Sequence, residues 1–405
     1  MTDKTQKKTS PKKSLIIKIV ILAICLVLAA IAGKDFWELR HYKETFVASE
    51  DLTEVKWLSD YVPSLKGTWN DGPVYIFDSG VPGGTVLYEA GPHPYEPASI
   101  LSAYVVLENA KVTKGRLIVI PVASMSAWTE GMCGDAYPMF YHIETEWGTK
   151  QYKIGDRYTN PLDQWPDPFT YVNYPSGQQL AYQDIRNLNR TYPGRANGTQ
   201  TERAALAIVE VIRQENVDIA IDCHEAEILY PVTSTYVAPE KSLDIAMMAG
   251  MNLSATQFLM KCEASPKGLH GLSHREWADY TDAMPFLMET PEVFIDKITG
   301  PRTESLMTEG KDEFLQKATD AGLTYFPYEE DFGTPMWYRA GRHLSGALEI
   351  LFWANQFDPD LGIEMTWPSY SDLEANGVGY YLHDPEAPEN KDRVQYVYHE
   401  PVDKV

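Results

Sequence analysis

Three short apolar runs constrain the fold of this chain more than any other feature. They are "GRLIVIPV" (Gly115–Val122), "VDIAIDC" (Val217–Cys223) and "MPFLMET" (Met284–Thr290). Runs of this kind are typical of strands that are covered on both faces, because such a strand has no side turned toward water. The sequence therefore predicts a sheet with helices on both of its faces.

Helical patterns alternate with the strand patterns along the chain. Thr199–Gln214 is a strongly amphipathic helix pattern, and its start, Thr199 followed by Glu202, is of the capping type. Other strand patterns lie at Val74–Ser79 and Thr85–Ala90, and other helical patterns at Pro97–Asn109, Ser242–Met260, Thr303–Ala321 and near Leu344–Gln356. This alternation predicts an α/β fold: a three-layer domain with a mixed, mostly parallel sheet. In such sheets functional sites lie at the carboxyl ends of the strands.

The N-terminal region differs from the rest of the chain in charge and in hydropathy. Residues 1–32 carry six lysines and one acid, and they include most of the apolar run Leu15–Gly33. A basic stretch followed by an apolar one is typical of a signal segment, and about 20 apolar residues also suffice to span a bilayer. An uncleaved anchor and a cleaved signal are the two main interpretations, and a buried core helix is a third. Both membrane interpretations leave the lysines inside and the acidic body outside the cytoplasm.

The overall charge and the cysteines exclude several classes of protein. The 405-residue chain has a formal net charge of −22, so a basic groove for nucleic acid is not expected. Its four cysteines show no CxxC spacing, which argues against a disulfide framework and against a cysteine zinc knuckle. Cys133 and Cys262 form one bridge in an oxidising compartment or remain unpaired thiols.

Four segments are predicted from these patterns. They are a signal or anchor segment (1–33), a connector (34–67), a catalytic domain (68–357) and an acidic C-terminal tail (358–405). Within the catalytic domain, residues 124–182 show little periodicity and many Tyr, Trp, Pro and Gly residues. A long irregular stretch inside a compact domain is usually a functional insertion.

Polar residues follow three of the predicted strands. His93 and Glu96, three positions apart, follow the first, His224 follows the second and Glu289 ends the third. Two imidazoles and one carboxylate, with a position left for water, form a common catalytic zinc arrangement, although another divalent metal is not excluded. Glu289 would then serve as a general base, and Asp222 would orient one of the metal ligands without itself binding the metal. The alternative is that these residues belong to an ordinary turn and a hydrogen-bonded core histidine.

The segment "NLNRTYPG" (Asn187–Gly194) presents an amide and a guanidinium side by side. Arg190 can bind a carboxylate through two hydrogen bonds, and Asn189 can add another. A surface loop in which Arg190 is solvated or pairs with Asp184 is the alternative. The segment is thus a candidate binding site for a carboxylate.

Taken together, "GPHPYE", "NLNRTYPG", "DCHEA" and "LMET" resemble the succinylglutamate desuccinylase/aspartoacylase family of the zinc carboxypeptidase clan. The resemblance covers about Thr85 to Thr290. It implies one Zn²⁺ per chain, and it implies the following roles: ligands His93, Glu96 and His224, carboxylate-binding residues Asn189 and Arg190, and catalytic base and acid Glu289.

The chain departs from the family pattern at several positions. Pro94-Tyr95 stands where Gly-Asn is usual, and we expect Tyr95 to narrow the pocket there. Asn187 replaces the usual Asp. The second family arginine, which polarises the scissile carbonyl, has two candidates, Arg157 and Arg186, and each is otherwise an ordinary surface arginine.

The chemistry that the resemblance implies is amide hydrolysis. The expected substrate is an N-acyl amino acid or a small peptide with a free carboxylate, met outside the cytoplasm by an anchored or exported protein. The alternatives are a metallocarboxypeptidase that trims peptides or cell-wall peptides, and a non-catalytic zinc-binding relative. Glu289 argues against the last of these, because a purely structural zinc site needs no base on a separate strand.

Overall fold

A computed structural model describes residues 11–131 and 137–398. The chain divides into two compact units, Met1–Tyr42 and Lys43–Val405, which are described separately. Cys133 lies outside the described residues, so its bridge to Cys262 stays a prediction.

The first unit contains one long helix, α1, which spans Pro11–His41. Its 31 residues extend for about 46 Å at ~1.5 Å per residue, more than the ~30 Å hydrocarbon core of a bilayer. No residue in the most apolar 18-residue window of α1 is buried in the structure. The interpretation as a buried core helix is therefore wrong, whereas anchor and signal segment both fit the length and composition of α1.

The second unit contains the sheets and nine further helices among its described residues. The helices are α2 (Leu58–Tyr61), α3 (Pro97–Asn109), α4 (Gln200–Gln214), α5 (Leu243–Thr256), α6 (Ser273–Tyr280), α7 (Glu304–Glu309), α8 (Glu313–Asp320), α9 (Met336–Phe357) and α10 (Tyr370–Asn376). The strands are β1 (Glu44–Val47), β2 (Leu52–Trp57), β3 (Pro73–Asp78), β4 (Thr85–Ala90), β5 (Lys111–Lys114), β6 (Arg116–Ile120), β7 (Phe140–Thr145), β8 (Gly148–Lys153), β9 (Tyr171–Val172), β10 (Gln179–Leu180), β11 (Ile219–Glu227), β12 (Thr235–Ala238), β13 (Lys261–Ala264), β14 (Met284–Glu292), β15 (Glu364–Thr366) and β16 (Val394–Val397).

An eight-stranded mixed sheet forms the centre of this unit, in the order β13-β12-β14-β11-β4-β6-β3-β2. Its four central strands, β14, β11, β4 and β6, are mutually parallel. Helices α3, α5 and α9 pack on one face, and α4 and α6 pack on the other, each face with its own apolar core. The predicted three-layer α/β fold with a mixed, mostly parallel sheet is confirmed.

Most elements follow the predicted patterns, but β11 and β14 run to Glu227 and Glu292, past their predicted ends at Cys223 and Thr290, and one predicted helix is divided. Strand β4 and helix α3 have the predicted bounds, and the capping box of Thr199 with Glu202 opens α4. The helix predicted over Thr303–Ala321 is instead two helices, α7 and α8. Gly310 separates them with a φ of 67°, a left-handed conformation that ends an α-helix.

The segments without clear periodicity are folded as well. Residues 124–182 contain two small antiparallel pairs, β7 with β8 and β9 with β10. The described part of the predicted tail pairs with the body, β15 with β5 and β16 with β1. The segment boundaries at residues 33, 67 and 357 stay predictions.

Candidate active site

His93 and Glu96 follow the carboxyl end of β4, whereas His224 and Glu289 lie inside β11 and β14, three residues before the end of each strand. Strand β11 lies between β4 and β14, with Cys223 opposite Ala90 and His224 opposite Glu289. Because the three strands run in the same direction, their following residues emerge on one edge of the sheet. This register places His224 beside Glu289 and beside the turn that carries His93.

His93, Glu96 and His224 form a compact, buried cluster. Nδ1 of His93 lies 2.8 Å from one carboxylate oxygen of Glu96, and Nδ1 of His224 lies 3.0 Å from the other. One ligand atom from each of the three residues lies within 4.8 Å of the others. The cluster thus brings together two imidazole nitrogens and one carboxylate, the donor set that suits zinc.

The remaining nitrogen of each histidine has an oxygen acceptor. Nε2 of His93 lies 2.9 Å from Oδ1 of Asn187, and Nε2 of His224 lies 3.0 Å from Oδ2 of Asp222. A ring proton on Nε2 of each histidine would satisfy these acceptors and leave both Nδ1 lone pairs directed toward Glu96. The residues therefore fit a divalent metal, and Asp222 makes the hydrogen bond that an orienting role requires.

Glu289 lies next to the cluster and is not engaged by it. Its Oε2 is buried and has no hydrogen-bond partner among the described residues, 11–131 and 137–398. Burial raises the pKa of Glu289 to about 8, with Glu96 adding to the rise and His224 opposing it. A carboxyl group at this position can exchange a proton with a group placed over the cluster.

The cluster opens into a cavity of about 490 Å³ that two arginines also line. Arg157 and Arg190 both reach this cavity, and neither forms an ion pair within the described parts of the chain. Arg190 donates a hydrogen bond of 2.6 Å to its neighbour's carbonyl, Asn189 O. Burial lowers the pKa of Arg190, and the nearby charge of Arg157 lowers it further. Two unpaired guanidinium groups make this end of the cavity suited to an anion.

Arg186, the other candidate for the second arginine, does not line this cavity. Its guanidinium forms an ion pair with Asp167, with distances of 2.9 to 3.1 Å, and donates to the carbonyl of Thr159. Its donors are therefore used within the protein, and the geometry favours Arg157 over Arg186.

Asn189 lines the cavity, but its amide is partly occupied. Its Oδ1 accepts a hydrogen bond of 2.8 Å from the backbone N–H of Ser273, and its Nδ2 lies 3.0 Å from Nε2 of His224. The hydrogen bond from Ser273 fixes the amide orientation, so Nδ2 lies toward the His224 ring.

Arg157 reaches the cavity through contacts that could not be predicted from sequence spacing. Tyr95 lines the cavity, as expected, and its hydroxyl accepts a 2.9 Å hydrogen bond from the Arg157 guanidinium. Two residues earlier, Gly155 packs so closely that an added Cβ would lie 2.6 Å from the Pro94 side chain and 2.7 Å from Trp128. Pro94 and Tyr95, the two residues that depart from the family pattern, are thus the place where the segment 124–182 contacts the turn that carries His93 and Glu96.

Comparisons with known proteins gave matches among solved structures only. No protein-family model and no curated protein matches the chain. A metallo-carboxypeptidase from Burkholderia cenocepacia is 11% identical, with 81% of this chain and 68% of that chain covered and a TM-score of 0.42. An aspartoacylase family protein from Mesorhizobium loti is 17% identical, with 62% and 65% covered and a TM-score of 0.35.

The cell shape determinant protein Csd4 from Helicobacter pylori gives a further match. It is 11% identical over 72% of this chain, with a TM-score of 0.40, and the match spans 55% of the Csd4 chain. At these identities the likeness concerns the fold. The solved structures to which this chain is similar include an aspartoacylase family protein and a metallo-carboxypeptidase.

Proposed function

We propose that this protein is a zinc-dependent amide hydrolase that deacylates an N-acyl amino acid or a small peptide with a free carboxylate. One observation carries the proposal: the buried cluster of His93, Glu96 and His224 lies beside Glu289, whose buried Oε2 has no hydrogen-bond partner in the part of the chain that the structure describes. A site that only held a metal for stability would not need a buried, unpaired acid next to it.

The cluster would hold one Zn²⁺ through Nδ1 of His93, Nδ1 of His224 and the carboxylate of Glu96. When bound, the ion would polarise a substrate carbonyl and lower the pKa of a water molecule to about 7. Asn187 and Asp222 keep the two rings in the orientation that this requires.

Glu289 serves as the proton carrier of the reaction. Its free Oε2 takes the proton of the attacking water and then delivers it to the nitrogen of the departing amine. The same atom handles both steps, so no second acid is needed.

The arginines position the substrate. Arg190 and the Nδ2 of Asn189 hold the free carboxylate, which fixes the distance from that group to the bond that is cleaved. Arg157, held by the hydroxyl of Tyr95, donates to the oxygen on which negative charge develops.

We further propose that the protein works outside the cytoplasm, attached to the membrane through α1. The lysines before the apolar run support this orientation by the excess of positive charge that cytoplasmic flanks carry. Proteolysis of intact cells should degrade the body, and protection of the body until the cells are lysed would contradict this orientation.

Metal content tests the ligand assignment. The purified full chain should contain about one zinc per chain, and His224→Ala should remove it. His274→Ala is the matched control, because His274 is also buried and lines the cavity yet contacts Ser265 and belongs to no metal cluster among the described residues. Zinc that stays bound in His224→Ala would refute the assignment.

Product analysis tests the reaction. A panel of N-acyl amino acids and short peptides, with and without a chelator, should give a free acid and a free amino acid from an acylated substrate. Release of C-terminal amino acids from longer peptides, with no deacylation, would instead identify a metallocarboxypeptidase.

A further inference from the structure

The loop of residues 160–169 has an inverted arrangement of polar and apolar side chains. Leu162, Trp165 and Phe169 are 81%, 75% and 104% exposed, the highest values of any large apolar side chains among the described residues of the body. They are also more exposed than the apolar residues of α1 itself. A loop in water normally turns such side chains inward.

The polar side chains of the same loop are the ones that turn inward. Asp163 accepts a 2.5 Å hydrogen bond from the hydroxyl of Ser126. Gln164 accepts from both the N–H and the hydroxyl of Thr201, at 3.0 and 2.8 Å, and it donates to the carbonyl of Ile185.

Two further side chains complete this attachment. The Asn160 side chain accepts from the N–H of Leu162 and donates to Thr129, and Asp167 is neutralised by Arg186. The loop is therefore fixed to the body by its polar residues, and its three apolar side chains are presented by a supported backbone. Large apolar side chains that are so exposed, on a backbone that the fold supports in this way, indicate a surface that contacts a partner.

We propose that Leu162, Trp165 and Phe169 insert into the interfacial region of the membrane and hold the body against the lipid surface. The inference rests on the proposed membrane attachment through α1, whose last residue, His41, is separated by only two residues from the first strand of the body. A chain so tethered meets lipid before any other partner, because the tether raises its effective concentration at the surface.

The chemistry of the loop fits a lipid interface. Tryptophan is the side chain that membrane interfaces favour, and leucine and phenylalanine provide apolar area beside it. The two acids of the loop, Asp163 and Asp167, are turned away and partnered, so they would not oppose insertion. The acidic body would repel anionic lipids, so the interface expected here is zwitterionic.

Fluorescence quenching tests the insertion. The full chain is reconstituted in phosphatidylcholine nanodiscs, and the quenching of tryptophan by lipids brominated near the headgroup is compared with that of Trp165→Phe. Loss of part of the bromolipid quenching in Trp165→Phe is the expected result. Trp353→Phe is the matched control: Trp353 is partly buried on α9, and its removal should leave the bromolipid quenching unchanged.

Three outcomes would overturn the proposal, and they differ from one another. Equal bromolipid quenching in the wild type and in Trp165→Phe would mean that the loop does not contact lipid. Shielding of Trp165 from aqueous acrylamide without bromolipid quenching, in particles that hold two chains, would make a second copy the occupant. A helix that spans the membrane resists extraction at alkaline pH. Release of the chain from cell membranes under these conditions would therefore contradict the attachment through α1 on which the proposal rests.

Discussion

The two ends of the cavity are built from different kinds of structure. The ligand end comes from three adjacent parallel strands, β4, β11 and β14, so its residues are placed by the register of one sheet. The arginine end comes from irregular segments, where Arg157 and Arg190 are placed by single contacts such as the hydrogen bond to Tyr95.

This difference separates two functions. A metal ion needs ligands within a few tenths of an ångström of their places, and a sheet buried on both faces supplies that rigidity. Substrate recognition can vary without changing the chemistry, and irregular segments tolerate such variation. We therefore expect changes at the ligand end to affect the chemistry or the metal, and changes at the arginine end to affect substrate use.

Replacing the proposed base should have the largest effect. Glu289→Gln keeps the size of the side chain but cannot accept a proton, so turnover should fall by about 10²–10⁴-fold, the usual contribution of a general base. Zinc content should be unchanged, because Glu289 is not a ligand in this assignment. Steady-state kinetics and metal analysis check both statements, and near-normal turnover would remove Glu289 from the mechanism.

The two candidate arginines should behave differently. Arg157→Ala should lower kcat by about 10²–10³-fold, as the loss of one donor to a developing oxyanion does. Arg186→Ala should leave kcat nearly unchanged and lower the melting temperature instead, because Asp167 loses its partner. If Arg186→Ala lost turnover and Arg157→Ala did not, the two roles would have to be exchanged.

Replacing the side chains that accept hydrogen bonds from the two histidine rings should have a moderate effect. Asp222→Asn weakens the support of the His224 ring, and zinc affinity should fall by about 10–100-fold, as is typical for partners of metal ligands. Competition with a chelator measures this affinity. Asn187→Asp, which installs the residue usual in the family, should keep the zinc. An unchanged affinity in Asp222→Asn would show that the sheet alone positions the ligands.

The last prediction concerns stability instead of activity, through pH and the support of the arginine end. Glu44 accepts hydrogen bonds from Tyr104 and from the N–H of Lys153, shortly before Arg157, and burial raises its pKa from 4.5 to about 7. Between these values the folded state binds a proton that the unfolded state has released. The free energy of unfolding should therefore fall by at most about 3 kcal/mol as the pH rises through this window.

A neutral replacement isolates this contribution. Glu44→Gln cannot ionise, so its unfolding free energy should depend less on pH between about 4.5 and 7 than that of the wild type. Denaturation by urea at several pH values measures the difference. Identical pH profiles would show that Glu44 does not control this part of the stability.

Much of the ligand end could be predicted because each of its residues follows, or lies late in, a recognisable strand. Continuous apolar runs identified β11 and β14, and parallel strands carry their following residues to one edge. The choice between Arg157 and Arg186 could not be made in this way. Both lie in or beside irregular segments, and their roles differ by contacts with Asp167 and Tyr95 that sequence spacing does not encode.

The sequence by itself determined the three-layer fold and the placement of His93, Glu96, His224 and Glu289 after, or late in, three of its strands, because hydrophobic periodicity reports which faces are buried. Only the tertiary structure decided which oxygen atoms support each histidine ring, which arginine faces the cavity and which side of the 160–169 loop meets the surroundings. Those features depend on contacts between segments far apart in the chain, and their geometry exists only once the sheet and the irregular segments have packed together.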